Sequence, residues 1–134
     1  MRNTETDYEV LMVAERKLKD INLLYICEGK NILEESVLSV RDKVKLFVVG
    51  KCLKDLPSVL EHVSIDVVLL AIEPSVIEAD ALNSFLVNMK IKTKNISVIV
   101  ITTAGDFADN LTEADFVVSK WISSEELERL IKIC

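Results

Sequence analysis

Short apolar runs alternate along the chain with segments in which apolar residues recur every three or four positions. Five of these runs are rich in β-branched or aromatic residues, and we predict strands at 22–27, 45–50, 67–72, 96–101 and 116–119. Because each run is apolar at consecutive rather than alternate positions, it is typical of a parallel strand covered by helices on both faces. The pattern therefore predicts an α/β domain.

The segments between the strands have the period of amphipathic helices. The apolar positions of the first three are 33, 37, 40 and 44; then 56, 59, 60 and 63; then 82, 85, 86 and 89. Ser123 and Glu126 fit a capping box at the start of the last helix. The segment 102–115 is too short and polar for a full helix, so we predict a short fourth helix or an ordered loop there.

Strand and helix alternate in an order that implies a parallel sheet with crossover connections. Five strands and about five helices fit the flavodoxin-like doubly wound fold, with the strand order 2-1-3-4-5. A chain of 134 residues fits one such domain. We assign it to residues 22–134 and predict an extra helix in residues 1–21, where Leu11, Ala14, Leu18 and Ile21 share one face.

Composition and charge narrow the classes of function. The net charge of −6 disfavours electrostatic binding to nucleic acid or to anionic lipid. No apolar run approaches the roughly 20 residues of a membrane-spanning helix. The first residues also lack the apolar stretch of a signal peptide. Together with three scattered cysteines, these features lead us to expect a cytoplasmic protein with reduced thiols.

The carboxyl ends of the predicted strands carry the candidate chemistry, because ligands of open α/β sheets bind there. The residues at these ends are Cys27, Glu28, Ala71, Thr102 and Lys120. Ala71 is unexpected, because it places a methyl group at the end of the most strongly apolar strand, within the stretch DVVLLAIEPS. Considered alone, that alanine is ordinary packing.

These positions, in this order and at about this spacing, resemble the receiver domain of two-component response regulators over residues 22–134. In that family an acidic pair follows strand one, the phosphoacceptor aspartate ends strand three, a serine or threonine ends strand four, and a lysine ends strand five. The acidic pair falls on Cys27 and Glu28, and the acceptor falls on Ala71. The hydroxyl falls on Thr102 and the lysine on Lys120.

The departures from the family pattern concern phosphorylation itself. Phosphoryl transfer in a receiver needs a carboxylate nucleophile and a Mg²⁺ ion held by clustered carboxylates. Ala71 supplies no nucleophile, and Cys27 is a poor ligand for a cation that prefers oxygen. Of the three family acids only Glu28 remains. We therefore expect no catalytic residue, no metal and no cofactor, and we predict that the chain is not an enzyme.

The residues that would report phosphorylation also differ. Trp121 stands where the family usually has proline, and Val117 stands at the aromatic switch position. The resemblance thus implies a phosphorylation-independent signalling or scaffold module that binds a regulatory protein partner or a second copy of itself. No small-molecule substrate, nucleic acid or membrane insertion is expected. We predict that the partner surface includes Val117, Lys120, Trp121 and Leu127.

Several alternatives stay open at this point. The strand ends could bind a small molecule, a metal ion or a phosphoryl group through Cys27 and Glu28, although Glu28 would repel an anion. Glu73 could join Glu28 in a metal site if its strand continued, but Pro74 favours a turn. Lys120 could pair with Glu28 or face solvent. Trp121 could cover the edge of the fifth strand instead of binding a partner.

Overall fold

Strands and helices alternate through the chain in the predicted order. The computed structural model describes residues 16–28 and 35–134. The strands are β1 (Asn22–Cys27), β2 (Leu46–Gly50), β3 (Val67–Ala71), β4 (Ser97–Thr102) and β5 (Phe116–Ser119). The helices are α1 (Glu35–Arg41), α2 (Leu56–His62), α3 (Ala79–Lys92), α4 (Gly105–Asp109) and α5 (Ser124–Ile133), with single 3₁₀ turns at Leu18–Asp20 and Leu53–Asp55.

The five strands form one parallel sheet in the order β2-β1-β3-β4-β5. This confirms the predicted flavodoxin-like architecture. The topological switch point, where the order in which strands are added to the sheet reverses, lies between β1 and β3. These two strands are neighbours in the sheet although β2 separates them in the chain. In folds of this kind the crevice at that point is the usual location of a functional site.

Two hydrophobic cores lie on opposite faces of the sheet, because successive residues of a strand point in opposite directions. On β3, Val68 and Leu70 enter one core, while Val67 and Leu69 enter the other. The first core is completed mainly by α2, α3 and α4, and the second by α1 and α5. Burial on both faces explains why β3 is apolar at consecutive positions.

The length of α4 and the start of α5 agree with the prediction from the sequence. α4 is only five residues long, as predicted, and the buried side chain of Phe107 anchors it. α5 begins after Ser123, whose Oγ accepts a hydrogen bond from the Glu126 amide at 3.2 Å. The Ser123 half of the predicted capping box is therefore confirmed, while the Glu126 carboxylate binds Arg129 on the next turn instead of the Ser123 amide.

The predicted N-terminal helix lies mostly outside the described residues. The part of it that is described is the 3₁₀ turn Leu18–Asp20 and the two residues before it. Leu18 and Ile21 are buried in the same core as α1 and α5, and the Arg16 amide donates to the Lys132 carbonyl at 2.9 Å. Within residues 16–28 and 35–134, no helix has the length and apolar character needed to cross a membrane.

Candidate functional site at the carboxyl ends of the strands

The sheet register brings the predicted site residues to one edge. Cys27 pairs with Ala71, and Ala71 pairs with Ile101 on the next strand. Thr102 pairs with Ser119 at the end of β5. Backbone hydrogen bonds continue just beyond the strands, from the Glu28 amide to the Ala71 carbonyl at 3.1 Å. The central position in this row of strand ends is therefore Ala71.

Ala71 contributes only a methyl group to this edge. The residue is partly buried, and its side chain packs against the core that contains Leu69 and Ile99. A methyl group can neither attack a phosphorus atom nor bind a cation. The residue at the centre of the edge therefore offers packing but no chemistry.

The Glu73 side chain lies beside Thr102 and Thr103. Its carboxylate accepts hydrogen bonds from the Thr102 hydroxyl at 2.7 Å and from the Thr103 amide at 2.7 Å. The Thr103 hydroxyl donates to the other carboxylate oxygen. Thr102 itself is 4% exposed, so its bond lies in a largely dry environment. Through these hydrogen bonds Glu73 links the loop after β3 to the end of β4 and the loop that follows it.

The sequence reasoning missed this contact. The sequence indicates Glu73 only as a possible metal ligand beside Glu28, and it indicates no role for Thr103. The available signal was a carboxylate two residues beyond one strand together with two consecutive hydroxyl residues at the end of the neighbouring strand. Neighbouring strands of a sheet lie about 4.8 Å apart, so side chains at adjacent strand ends are close enough to meet.

Glu28, just beyond the end of β1, binds a backbone amide. Its Oε2 accepts a hydrogen bond from the Leu53 amide at 2.6 Å, which fixes the 3₁₀ turn Leu53–Asp55 to the end of β1. The carboxylate caps a backbone turn, a structural role that the sequence did not indicate.

Lys120 and Trp121 interact with each other just beyond β5. The Lys120 ammonium lies 4.8 Å from the centre of the Trp121 ring, within the range of a cation–π interaction. Of the two alternatives for Lys120, the pair with Glu28 is not formed, and the side chain is partly exposed beside Trp121. Trp121 is 74% exposed, although its amide donates to the Ser119 hydroxyl at 3.2 Å. The ring therefore does not cover the sheet edge, which was the other interpretation of this residue.

The predicted partner surface needs one correction. Leu127 has no exposed surface, because it points from α5 into the core with Leu130 and Ile131. It cannot contact a partner in this conformation. Val117 is partly buried against the opposite core and Lys120 is also partly buried, so Trp121 is the exposed member of the set.

The other candidates from the sequence are metal-ligating side chains and thiols. In the part of the chain that the structure describes, no group of three or more His, Cys, Asp or Glu side chains is placed to hold a metal ion. Cys27, Cys52 and Cys134 are partly exposed, and none of the three is in a disulfide bond. Burial raises the pKa of the Cys134 thiol to about 11, and the Asp115 carboxylate adds to the increase. Cys134 is therefore protonated at neutral pH.

Several solved structures of response regulators and their receiver domains are similar to this chain. A response regulator from Thermotoga maritima has a TM-score of 0.66 at 18% identity, covering 84% of this chain and 97% of that chain. An orphan response regulator of H. pylori has a TM-score of 0.61 at 18% identity, with 84% and 97% covered. The N-terminal signal receiver domain of a two-component response regulator from Bacteroides fragilis has a TM-score of 0.60 at 17% identity, with 84% and 98% covered.

These similarities show that the chain has the fold of response-regulator receiver domains. No protein-family model and no curated protein matches the sequence. At such low identity the fold is what the similarity shows, since one fold carries many functions. The function must be argued from the residues at the strand ends.

Proposed function

We propose that this protein is a cytoplasmic receiver-like signalling or scaffold module that acts by binding another protein and does not depend on phosphorylation. It is not an enzyme. The observation that carries the proposal is the position of Ala71. In the sheet register this alanine stands between Cys27 and Ile101, at the strand end where a receiver has its phosphoacceptor aspartate.

The neighbours of Ala71 support the same conclusion. The Thr102 hydroxyl, which corresponds to the family's conserved hydroxyl position, already donates to Glu73. The Glu28 carboxylate accepts from a backbone amide at 2.6 Å. The Lys120 ammonium lies over an indole ring. Each polar group that would serve phosphoryl transfer therefore has a contact within the protein.

Treatment with acetyl phosphate and Mg²⁺ tests the absence of phosphoryl transfer. We expect the intact mass to remain unchanged, because Ala71 has no nucleophilic atom and the described residues hold no carboxylate cluster for the cation. A receiver domain with an intact acceptor serves as the positive control. A stable adduct of one phosphoryl group on an acidic residue would contradict the proposal. An adduct on Cys27 would favour a phosphoryl-binding site at Cys27 and Glu28.

Trp121 is the residue most suited to partner binding. Aromatic side chains supply much of the free energy at protein interfaces, and this ring is 74% exposed. Its contact with Lys120 restricts the ring, so less conformational entropy is lost when a partner covers it. A rigid exposed aromatic beside a positive charge is well suited to a partner with an apolar, acidic surface.

Replacement of Trp121 by alanine tests this surface. We expect the binding partner, captured from the native cell and then purified, to bind the variant at least about tenfold more weakly. Val49→Ala is the matched control, because Val49 is 55% exposed but lies on β2, at the other edge of the sheet. Equal binding by the wild type and the Trp121 variant would remove this surface from the proposal.

A further inference from the structure

Three hydrogen-bond donors from two consecutive residues converge on one carboxylate at the end of β4. The Thr102 hydroxyl and the Thr103 amide both donate to Oε1 of Glu73, each at 2.7 Å. The Thr103 hydroxyl donates to Oε2. Because donors reach both oxygens of a charged acceptor, this arrangement has the make-up of a binding site for a small oxyanion.

Contacts other than those of Glu73 hold these donors in place. Thr102 ends β4, where it pairs with Ser119 of β5. Its hydroxyl oxygen also accepts a hydrogen bond from the Ala104 amide at 3.3 Å, which leaves the hydroxyl hydrogen available for Glu73. Thr103 follows directly in the chain, so the end of the same strand positions its amide. The donors should therefore keep their arrangement when the carboxylate is removed.

The carboxylate that these donors bind comes from the neighbouring strand. Glu73 lies two residues beyond β3, in the loop that leads to α3. The Ile72 amide donates to the Ile101 carbonyl at 3.1 Å, which holds the start of this loop beside β4. Glu73 is partly buried and Thr103 is exposed, so the site opens to solvent on one side. A small anion can therefore enter the site once the Glu73 side chain is removed.

We propose that the donors of Thr102 and Thr103 form a binding site for a small carboxylate, and that Glu73 is its internal ligand. Because Glu73 is tethered beside the site, a dissolved anion must compete with a high effective concentration of the side chain. The native chain therefore holds the loops after β3 and β4 in their anion-bound arrangement without any external anion. Only a variant that lacks the Glu73 carboxylate accepts a dissolved carboxylate there.

The inference deepens the proposed function and rests on it, since it explains how this edge keeps one arrangement in a module that does not depend on phosphorylation. The two proposals can nevertheless fail separately. Reaction with acetyl phosphate is measured on the wild-type chain as a change in mass. The internal ligand is tested by adding a carboxylate to a variant from which Glu73 has been removed, and no covalent bond forms.

Rescue of Glu73→Ala by acetate tests the inference, because acetate has the same heavy atoms as those that the substitution removes. Hydrogen exchange of the Thr103 amide in this variant should slow about tenfold in about 100 mM acetate, given a dissociation constant of about 10 mM. The urea midpoint of the variant should rise as well. Sodium chloride at the same ionic strength controls for screening. Acetamide, a neutral molecule of the same shape, should have little effect.

Matched chains make the rescue specific to this site. The wild type and Glu78→Ala both retain Glu73, so acetate should leave their Thr103 amide exchange unchanged. Adding Thr102→Val to Glu73→Ala removes the buried donor and should abolish most of the slowing. Circular dichroism verifies that each variant is folded, and Glu73→Ser takes the place of Glu73→Ala if the latter is not. The inference is overturned if acetate does not slow exchange in the folded variant. Equal slowing by acetamide, or in the wild type, or with Thr102→Val present, overturns it as well.

Discussion

Replacement of Leu70 by alanine should lower the free energy of unfolding by about 3–5 kcal/mol. Leu70 has no exposed surface and lies on β3, the central strand of the sheet. Ile26 and Val100 flank it in the register on the two neighbouring strands. Because both neighbouring strands are held by their own hydrogen bonds, the sheet cannot close around the cavity. The loss is a large part of the roughly 5–15 kcal/mol that stabilises a typical domain.

Leu46→Ala is the matched control for this variant. Leu46 is also a strand leucine, but it lies on the edge strand β2 and is 40% exposed. Its truncation should cost less than about 1 kcal/mol, since solvent fills the space that the side chain leaves. Urea denaturation followed by fluorescence or circular dichroism measures both values, provided that the slopes of the transitions agree. Similar losses in the two variants would contradict the placement of β3 at the centre of the sheet.

Glu73→Ala should lower the free energy of unfolding by about 1–3 kcal/mol, because a hydrogen bond to a charged group is worth more than a neutral one. Most of the loss should come from Thr102, whose hydroxyl is buried and donates to Glu73 at 2.7 Å. The bonds of Thr103 contribute less, since that residue is exposed and water can replace the carboxylate. The loops after β3 and β4 should become more mobile.

Two variants make this measurement specific. Glu78→Ala removes an exposed acidic residue a few positions later, which makes no side-chain hydrogen bond at the start of α3. It should change stability by less than about 0.5 kcal/mol. Glu73→Gln keeps an acceptor of the same shape but removes the charge, so its loss should be intermediate. Hydrogen exchange of the Thr103 amide, which donates to Glu73, should accelerate in the alanine variant. Equal stability of Glu73→Ala and Glu78→Ala would contradict the structural role of Glu73.

The arrangement at the strand ends gives the proposed function a physical basis. A receiver that responds to phosphorylation must keep its polar pocket groups available to the phosphoryl group. In this protein Glu73 and Glu28 bind donors of the protein itself, and Ala71 offers no atom for the reaction. These contacts support the proposal that the domain does not respond to phosphorylation. On that proposal, binding through Trp121 would be constitutive.

The sequence by itself determined the secondary structure and the topology of this protein. β1 and β5 have the predicted bounds, Asn22–Cys27 and Phe116–Ser119. The shortness of α4 and the cap at Ser123 were also predicted correctly. These features depend on near neighbours along the chain and on which faces are buried, and both are recorded in the spacing of apolar residues.

The spacing of apolar residues in α5 also predicts that Leu127 is buried. Leu127, Leu130 and Ile131 have the spacing of one helix face, and all three are buried in the same core. The prediction that Leu127 binds a partner conflicts with this period, which places the side chain on the buried face of α5. Where a family comparison and an amphipathic pattern disagree, the pattern decides which side chains are accessible.

Only the tertiary structure decided how the polar groups at the strand ends are paired. Glu73 with Thr102, Glu28 with the Leu53 amide, and Lys120 with Trp121 were not predicted. Each acidic or basic side chain had several partners within reach in the predicted topology, and the choice depended on rotamers and loop paths that apolar spacing does not encode. The sequence therefore determined where the candidate site lies, and the packing of the loops around it determined that its polar groups bind one another.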